Sequence, residues 1–406
     1  MSDVRARCAP EQFRLLWDQL APIGRDADGG YLRYAWSDAE RACRGWFEAQ
    51  AATRGMVVTE DGNGNLFAWW DPPGGAATAS AVVTGSHFDS VPHGGAYDGP
   101  LGIVCAFLAV DLLRERGVAP ARPVVVAAFV EEEGGRFGLP CLGSRLLTGA
   151  LDPAQAARLT DADGRTLAQV TGGLPAGARP DLLARFGAFV ELHIEQGKAL
   201  VDLDAPVGVA SAIWPHGRWR MDFAGEGNHA GTTAMADRRD PMLTFAYTVL
   251  AANKEARLHG CHATVGRVEA SPNATNAVPA RVSGWLDARA GDEATLSSLV
   301  EAVHKRAVER AGRDGTSVAL TAESITGEVR FDTDLARRIS ETLGGAPVLP
   351  TGAGHDAGVL SGFLPTAMLF VRNPTGVSHS PAETASDADC AAGADALADV
   401  LTELTR

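Results

Sequence analysis

At 406 residues the chain exceeds what one hydrophobic core usually supports, so two domains are expected. It is 46% hydrophobic and 21% charged, with no apolar run of about eighteen residues that would span a membrane. A net charge of −14 disfavours nucleic acid and anionic membrane as partners, yet leaves room for a small anionic substrate held by a local arginine.

In chain order, Met1-Ser2-Asp3-Val4-Arg5 lacks the apolar segment of a signal peptide. Phe13, Leu16 and Leu20 follow helical spacing, and Ser37 is placed to cap a second helix beginning Asp38-Ala39-Glu40. Short strands are expected near Val57-Val58 and over 65–70, joined by the Asp61-Gly62-Asn63-Gly64 turn. From 81 to 200, buried-strand runs alternate with helical ones such as 102–108, which predicts a mostly parallel sheet with helical crossovers. Near residue 210 the texture changes. Half-exposed strands over 218–223, 263–268, 281–287 and 318–321 are interleaved with helices over 240–258 and around Leu296, Leu299, Val300, Val303 and Ala307. Strand, helix, strand, strand, helix, strand is the order of a ferredoxin-like sandwich. The expected architecture is therefore an α/β catalytic domain over 1–210 and 327–406, interrupted by an α+β insertion over 211–326. Cys8, Cys43, Cys105, Cys141, Cys261 and Cys390 show no CxxC spacing, which predicts reduced, packing thiols and a cytoplasmic protein.

Chemistry-bearing residues follow the apolar runs. Ala81-Val82-Val83 leads to Ser86-His87-Phe88-Asp89, and Asp98 lies eleven residues past His87. The run 124–130 ends in Glu131-Glu132-Glu133, Phe189-Val190-Glu191-Leu192 leads to His193-Ile194-Glu195-Gln196-Gly197, and Met368-Leu369-Phe370-Val371 precedes Ser378-His379-Ser380. In an open α/β sheet, chemistry collects beyond the carboxyl ends of the strands. A lone histidine there is more often structural, but three histidines and two carboxylates together suit two borderline divalent cations. Asp98, among Gly94, Gly95, Gly99 and Gly102, has the backbone freedom to lean between two ions. Asp89 is placed to hydrogen-bond the second nitrogen of His87 and fix its tautomer. As a strand continuation, Glu131 and Glu133 face one way and Glu132 the other, a rule that a turn would break. One glutamate of the triplet can ligate while its neighbour acts as general base on cation-held water.

These segments, with Tyr97-Asp98-Gly99 and Glu132-Glu133-Gly134-Gly135-Arg136-Phe137, resemble the dinuclear metal amidohydrolases related to aminoacylase and carboxypeptidase. His193-Ile-Glu-Gln-Gly197 and Gly227-Asn228-His229-Ala230-Gly231-Thr232-Thr233 resemble the branch of N-carbamoyl-L-amino-acid and allantoate amidohydrolases, a similarity that runs over nearly the whole chain. The resemblance implies a metallopeptidase-like catalytic domain and a ferredoxin-like lid that dimerises. It implies one ion on His87, Asp98 and His193, a second on Asp98, Glu133 and His379, and Glu132 as the base that later protonates the leaving amine. His229 would stabilise the oxyanion, often in the partner subunit's site. Asn276 and Arg289 would hold the substrate carboxylate, Arg289 by a bidentate fork. Gln196 would add a hydrogen bond to the substrate's polar tail, and Arg238 matches a family arginine that equally suits a salt bridge within the lid. From its place in the sequence near the metal loops, His355 either supports the ligands or lines the substrate. Ala234 stands where the branch usually has proline, and Gly135 where serine is commoner; neither removes a catalytic group.

The expected activity is hydrolysis of a ureido or N-carbamoyl C–N bond of a small carboxylate by a homodimer, with attack by a hydroxide shared between two divalent ions. Allantoate is the first substrate and N-carbamoyl-L-amino acids the second. An aminoacylase or dipeptidase shares the metal set, and a metal-less binding protein of the same fold is the alternative from another class. Zn²⁺, Mn²⁺, Co²⁺ and Ni²⁺ all suit such ligands.

Overall fold

The computed structural model of the protein describes residues 6–71 and 80–406, so the reading of Met1–Arg5 lies outside the described residues. The first half of the chain forms strands β1 (Val57–Glu60), β2 (Leu66–Trp70), β3 (Ala81–His87), β4 (Val124–Phe129), β5 (Phe186–Ile194) and β6 (Val207–Ile213). Next come β7 (His216–Ala224), β8 (Asn228–His229), β9 (His262–Ser271), β10 (Ala277–Val278), β11 (Arg281–Arg289) and β12 (Ser317–Thr326). The chain closes with β13 (Val329–Arg330), β14 (Val348–Thr351) and β15 (Thr366–Val371). It divides into two compact units, one running through Ala212 and resuming at Arg330, the other spanning Ile213–Val329.

In the larger unit the strands lie in the order β1-β2-β4-β3-β5-β15-β6-β13, with β14 pairing to β6. The central four, β4, β3, β5 and β15, run parallel. The margins are antiparallel, β2 against β4 and β6 against β15. The β1–β2 hairpin adds a further antiparallel pair at one margin, because a tight turn reverses the chain without a crossover. Every residue of β3 and β4 is buried, as expected for parallel strands covered on both faces. Helix Pro100–Glu115 makes the crossover from β3 to β4, and its Phe107 meets Phe47 and Trp46 edge-on at 5.1 and 5.9 Å. The chain then returns on the opposite side of β3 to form β5. That reversal opens a crevice at the carboxyl ends of β3 and β5, the usual place for a ligand in such sheets.

Ahead of the sheet, helix Pro10–Leu20 buries Phe13, Leu16, Trp17 and Leu20, and the Ser37 side chain accepts from the Glu40 amide at the start of helix Asp38–Thr53.

The smaller unit is a four-stranded antiparallel sheet in the order β12-β7-β11-β9, with helices Pro241–His259 and Glu293–Asp314 between its strands. Taken in sequence this is strand, helix, strand, strand, helix, strand, the ferredoxin-like pattern. Alternation along β7 turns Trp219, Met221 and Phe223 inward, where they form a core with Leu286 of β11 and Leu299 and Val303 of the second helix. The two-residue pair β8–β10 sets His229 opposite Ala277.

Candidate metal centre

Four neighbouring parallel strands deliver the chemistry. His87 is the last residue of β3, and His193 is the penultimate residue of β5. Glu132 and Glu133 follow β4, while His379 lies in the loop after β15. Asp98 occupies the turn between β3 and helix Pro100–Glu115. Besides a group of Glu191, His193 and His355, two groups of ligand atoms match the expected sets: His87, Asp98 and His193, and Asp98, Glu133 and His379. Asp98 belongs to both. Its Oδ1 is 3.2 Å from His193 Nε2 and 3.6 Å from His87 Nε2, and its Oδ2 is 3.3 Å from His379 Nε2. Glu133 Oε2 stands 3.4 Å from the same His379 nitrogen. Gly99 makes this arrangement possible: its φ is +85°, and a Cβ there would lie 2.5 Å from the His87 ring.

Tautomers follow from the hydrogen bonds. His87 Nδ1 lies 3.0 Å from the Asp89 carbonyl oxygen, and His193 Nδ1 lies 2.9 Å from the Ile194 carbonyl oxygen. A carbonyl only accepts, so each Nδ1 carries a proton, and in its neutral form each ring presents the Nε2 lone pair to the Asp98 carboxylate. A lone pair facing a carboxylate calls for a cation or a proton between them. Burial opposes a charge on His193, but Asp98 outweighs it and holds the ring up at about 9. Burial pulls His87 down to about 4. Burial, then Asp356 and Glu133, push Glu132 well above the ordinary carboxylate range; burial, then Asp98, do the same to Glu133. Among the described residues no lysine or arginine forms an ion pair with Asp89, Asp98, Glu132, Glu133, Glu191, Asp356 or Glu383, and the charged partners of the central three are histidines. Buried negative charge of this density fits divalent cations.

Several residues stand differently from expectation. The Asp89 carboxylate does not hold His87, its Oδ1 being 3.7 Å from Nδ1. The Asp89 main-chain carbonyl holds the ring instead, and the carboxylate accepts the amides of Glu132 and Glu133 at 3.1 and 3.0 Å. The glutamate triplet does not alternate, because β4 ends at Phe129 and Glu131 adopts a left-handed φ of 53°. Glu131 turns away and accepts the amides of Arg136 and Phe137, which leaves Glu132 and Glu133 both at the centre. Glu132 Oε2 is 3.6 Å from His87 Nε2, and the Cys141 thiol donates to its Oε1 at 3.6 Å, so this cysteine has a polar contact beyond packing. Gln196 donates to Asp98 Oδ2 at 2.8 Å, while its Oε1 is buried without a partner. His355 is buried against the His193 ring at 4.5 Å between centroids, with both nitrogens unpartnered. Two acids went unnoticed in the sequence. Glu191, one pleat before His193, accepts from Ser86 Oγ and the Ala357 amide. Glu383, four residues after His379, accepts the amides of Tyr97 and Asp98. A glutamate within the apolar run 189–192 was a usable signal for the first; the second lies in a loop with no periodic pattern.

In the smaller unit, His229 is exposed and its Nδ1 accepts the amides of Gly231 and Thr232 at 3.0 and 3.2 Å. The neutral ring therefore carries its proton on Nε2, as an outward-facing donor. Among the described residues Arg238 has no salt-bridge partner. It donates to the Ala230 and Thr233 carbonyls at 2.6 and 3.2 Å and so braces the His229 loop. The Asn276 carbonyl accepts from Ala230 at 3.0 Å and ties the Asn276 loop to that of His229. Arg289 ends β11 with its Nε 3.0 Å from Asp287 Oδ1.

The model of peptidase family M20/M25/M40 matches residues 83–403. An N-carbamoyl-L-amino acid amidohydrolase of Geobacillus stearothermophilus is 35% identical over 97% of this chain and 99% of its own length. An allantoate amidohydrolase of Escherichia coli is 32% identical over 95% of each. A crystal structure of a hydantoinase/carbamoylase-family amidase from Burkholderia multivorans superposes with a TM-score of 0.86 at 31% identity, covering 98% of both chains. Spanning both units, these matches show that the chain belongs to peptidase family M20/M25/M40, as a hydrolase of C–N bonds in its allantoate and N-carbamoyl-L-amino-acid amidohydrolase branch.

Proposed function

We propose that the protein hydrolyses the ureido or N-carbamoyl C–N bond of a small carboxylate at a centre of two divalent cations, with allantoate as first substrate. The observation that carries this reading is the pair of ligand groups sharing Asp98, with Glu132 beside them and outside both. His87, Asp98 and His193 would hold one cation and Asp98, Glu133 and His379 the other, Zn²⁺ or Mn²⁺ first, with Co²⁺ and Ni²⁺ also suited. Bound there, the cations supply Lewis acidity to a carbonyl and to water.

Each remaining residue has its own work. Glu132, beside both ligand groups and in neither, takes the proton of the attacking water and returns it to the leaving nitrogen. His229 donates its Nε2 proton to the oxygen on which negative charge develops. Arg289 and Asn276 hold the substrate carboxylate, with Asp287 steering the guanidinium. Gln196 and His355 bond the polar ureido end; the unpartnered Gln196 Oε1 and His355 nitrogens supply that capacity. N-carbamoyl-L-amino acids are a second reading, favoured by the 35% identity to the Geobacillus enzyme. Six buried cysteines, none in a disulfide, support a cytoplasmic location, and no helix among the described residues is long and apolar enough to cross a membrane.

The active form we propose is a homodimer joined through the smaller unit. Helix Pro241–His259 exposes Leu243, Tyr247, Leu250 and Leu258, and the edge strand β9 exposes Val268, an apolar and hydrogen-bonding surface suited to a second copy. In such a dimer His229 serves the partner's centre.

Ammonia release from allantoate, N-carbamoyl-L-amino acids and ureidopropionate, with acetate release from N-acetyl amino acids, tests the substrate. Ureido compounds should turn over, chelation should stop them and added cation should restore them; hydrolysis of N-acetyl amino acids alone contradicts the reading. Glu132→Gln should lower kcat by about 10²–10⁴-fold with metal content unchanged. Glu133→Ala should instead lower the occupancy of one cation, and exchanged phenotypes would reverse the two roles. Mixing inactive His229→Ala and Glu132→Gln subunits should return about a quarter of wild-type activity. Random pairing makes half the dimers mixed, and each mixed dimer has one intact site, because intact Glu132 meets an intact partner His229. No recovery in verified heterodimers would confine His229 to its own subunit.

A further inference from the structure

Asp98 carries both ligand groups, yet it sits on a loop with glycines on either side, so something has to hold its backbone. Glu383 does. Its side chain is 5% exposed, and Oε1 accepts the amides of Tyr97 at 2.7 Å and Asp98 at 3.0 Å. The other oxygen, Oε2, is 3.2 Å from Ser378 Oγ, which is in turn 3.1 Å from Asp98 Oδ2. Gln196 Nε2 donates to the same Asp98 oxygen at 2.8 Å and lies 3.2 Å from Ser378 Oγ. One carboxylate thus grips the main chain at Asp98, and through Ser378 it reaches both the Asp98 side chain and the residue preceding His379. Gly95 leaves the space it occupies, since a Cβ there would fall 2.2 Å from Glu383 Cδ.

We propose that Glu383 is a positioning residue of the metal centre, which fixes Asp98 between the two ligand groups, ties it to the His379 loop, and thereby sets the affinity for the cation on Asp98, Glu133 and His379. The inference rests on the two-cation reading above. Groups that orient a ligand from behind typically contribute about 10–100-fold to metal affinity. Because Glu383 lies in neither ligand group, its effect passes through the Tyr97–Asp98 backbone and Ser378.

The test is Zn²⁺ titration of the full chain against a chromophoric chelator, resolving both affinities, with circular dichroism to verify the fold. Glu383→Ala should weaken cation binding by about 10–100-fold at one site, which Ser378 also ties to the His379 loop, and by less at the other. Glu383→Gln should keep both affinities, because its carboxamide oxygen accepts the same amides and its nitrogen donates to Ser378 Oγ. Gly95→Ala, which crowds Glu383 off those amides without removing it, should weaken the same site and serves where the alanine variant does not fold. Unchanged affinities in a folded Glu383→Ala or Gly95→Ala protein overturn the inference, even if the unfolding midpoint falls. So does a Glu383→Gln as weak as Glu383→Ala, which would make charge the operative property. A wild type that binds no divalent cation overturns the metal reading and this inference together, whereas two ions in the wild type and unchanged variants overturn the inference alone.

Discussion

Negative charge buried with no lysine or arginine ion pair among the described residues is the constraint around which the larger unit is organised. Asp89, Asp98, Glu132, Glu191, Asp356 and Glu383 are all withdrawn from solvent within one crevice. The cost of such burial is met in three ways. Backbone amides satisfy Asp89 and Glu383, hydroxyls satisfy Asp356 and Glu191 in part, and histidine nitrogens face Asp98. Amides and hydroxyls orient a carboxylate but do not neutralise it, so the charge left at the centre is what gives cations their hold.

The fold makes that concentration possible because it separates covalent neighbours and unites distant ones. Parallel strands β4, β3, β5 and β15 end on the same side, so four segments scattered from 87 to 379 converge without any of them bending far. Two local devices refine the convergence. Glu131, in a left-handed conformation, withdraws from the triplet to cap the turn at Arg136 and Phe137, while Asp89 pins the amides of Glu132 and Glu133. The smaller unit follows a separate logic, with a core of its own and polar loops at His229 and Asn276 laced together by backbone hydrogen bonds and Arg238.

Much of this was legible in the sequence for a physical reason. A strand buried on both faces writes an unbroken apolar run, and a polar residue just past its end is costly unless it works, so His87, His193 and the glutamates stood out. Alternation in 218–223 and 281–287 likewise marked sheets with one covered face. What escaped depends on turns and on partners far along the chain. The antiparallel margins of the large sheet leave no trace in periodicity. The exchange of roles between the Asp89 carbonyl and carboxylate turns on backbone direction, and the bond between Glu383 and the amide of Asp98 spans 285 positions. No local pattern records a contact of that kind.

The account stands on Asp98 lying between two cations. Crystals of the protein loaded with Zn²⁺, measured on both sides of the zinc absorption edge, test this most directly. Two anomalous peaks should flank the Asp98 carboxylate, one within coordination distance of His87 and His193 and the other of Glu133 and His379, at about 2.0–2.2 Å from the ligand atoms. A single peak that does not touch Asp98, or full occupancy of a site elsewhere with this crevice empty, would contradict it.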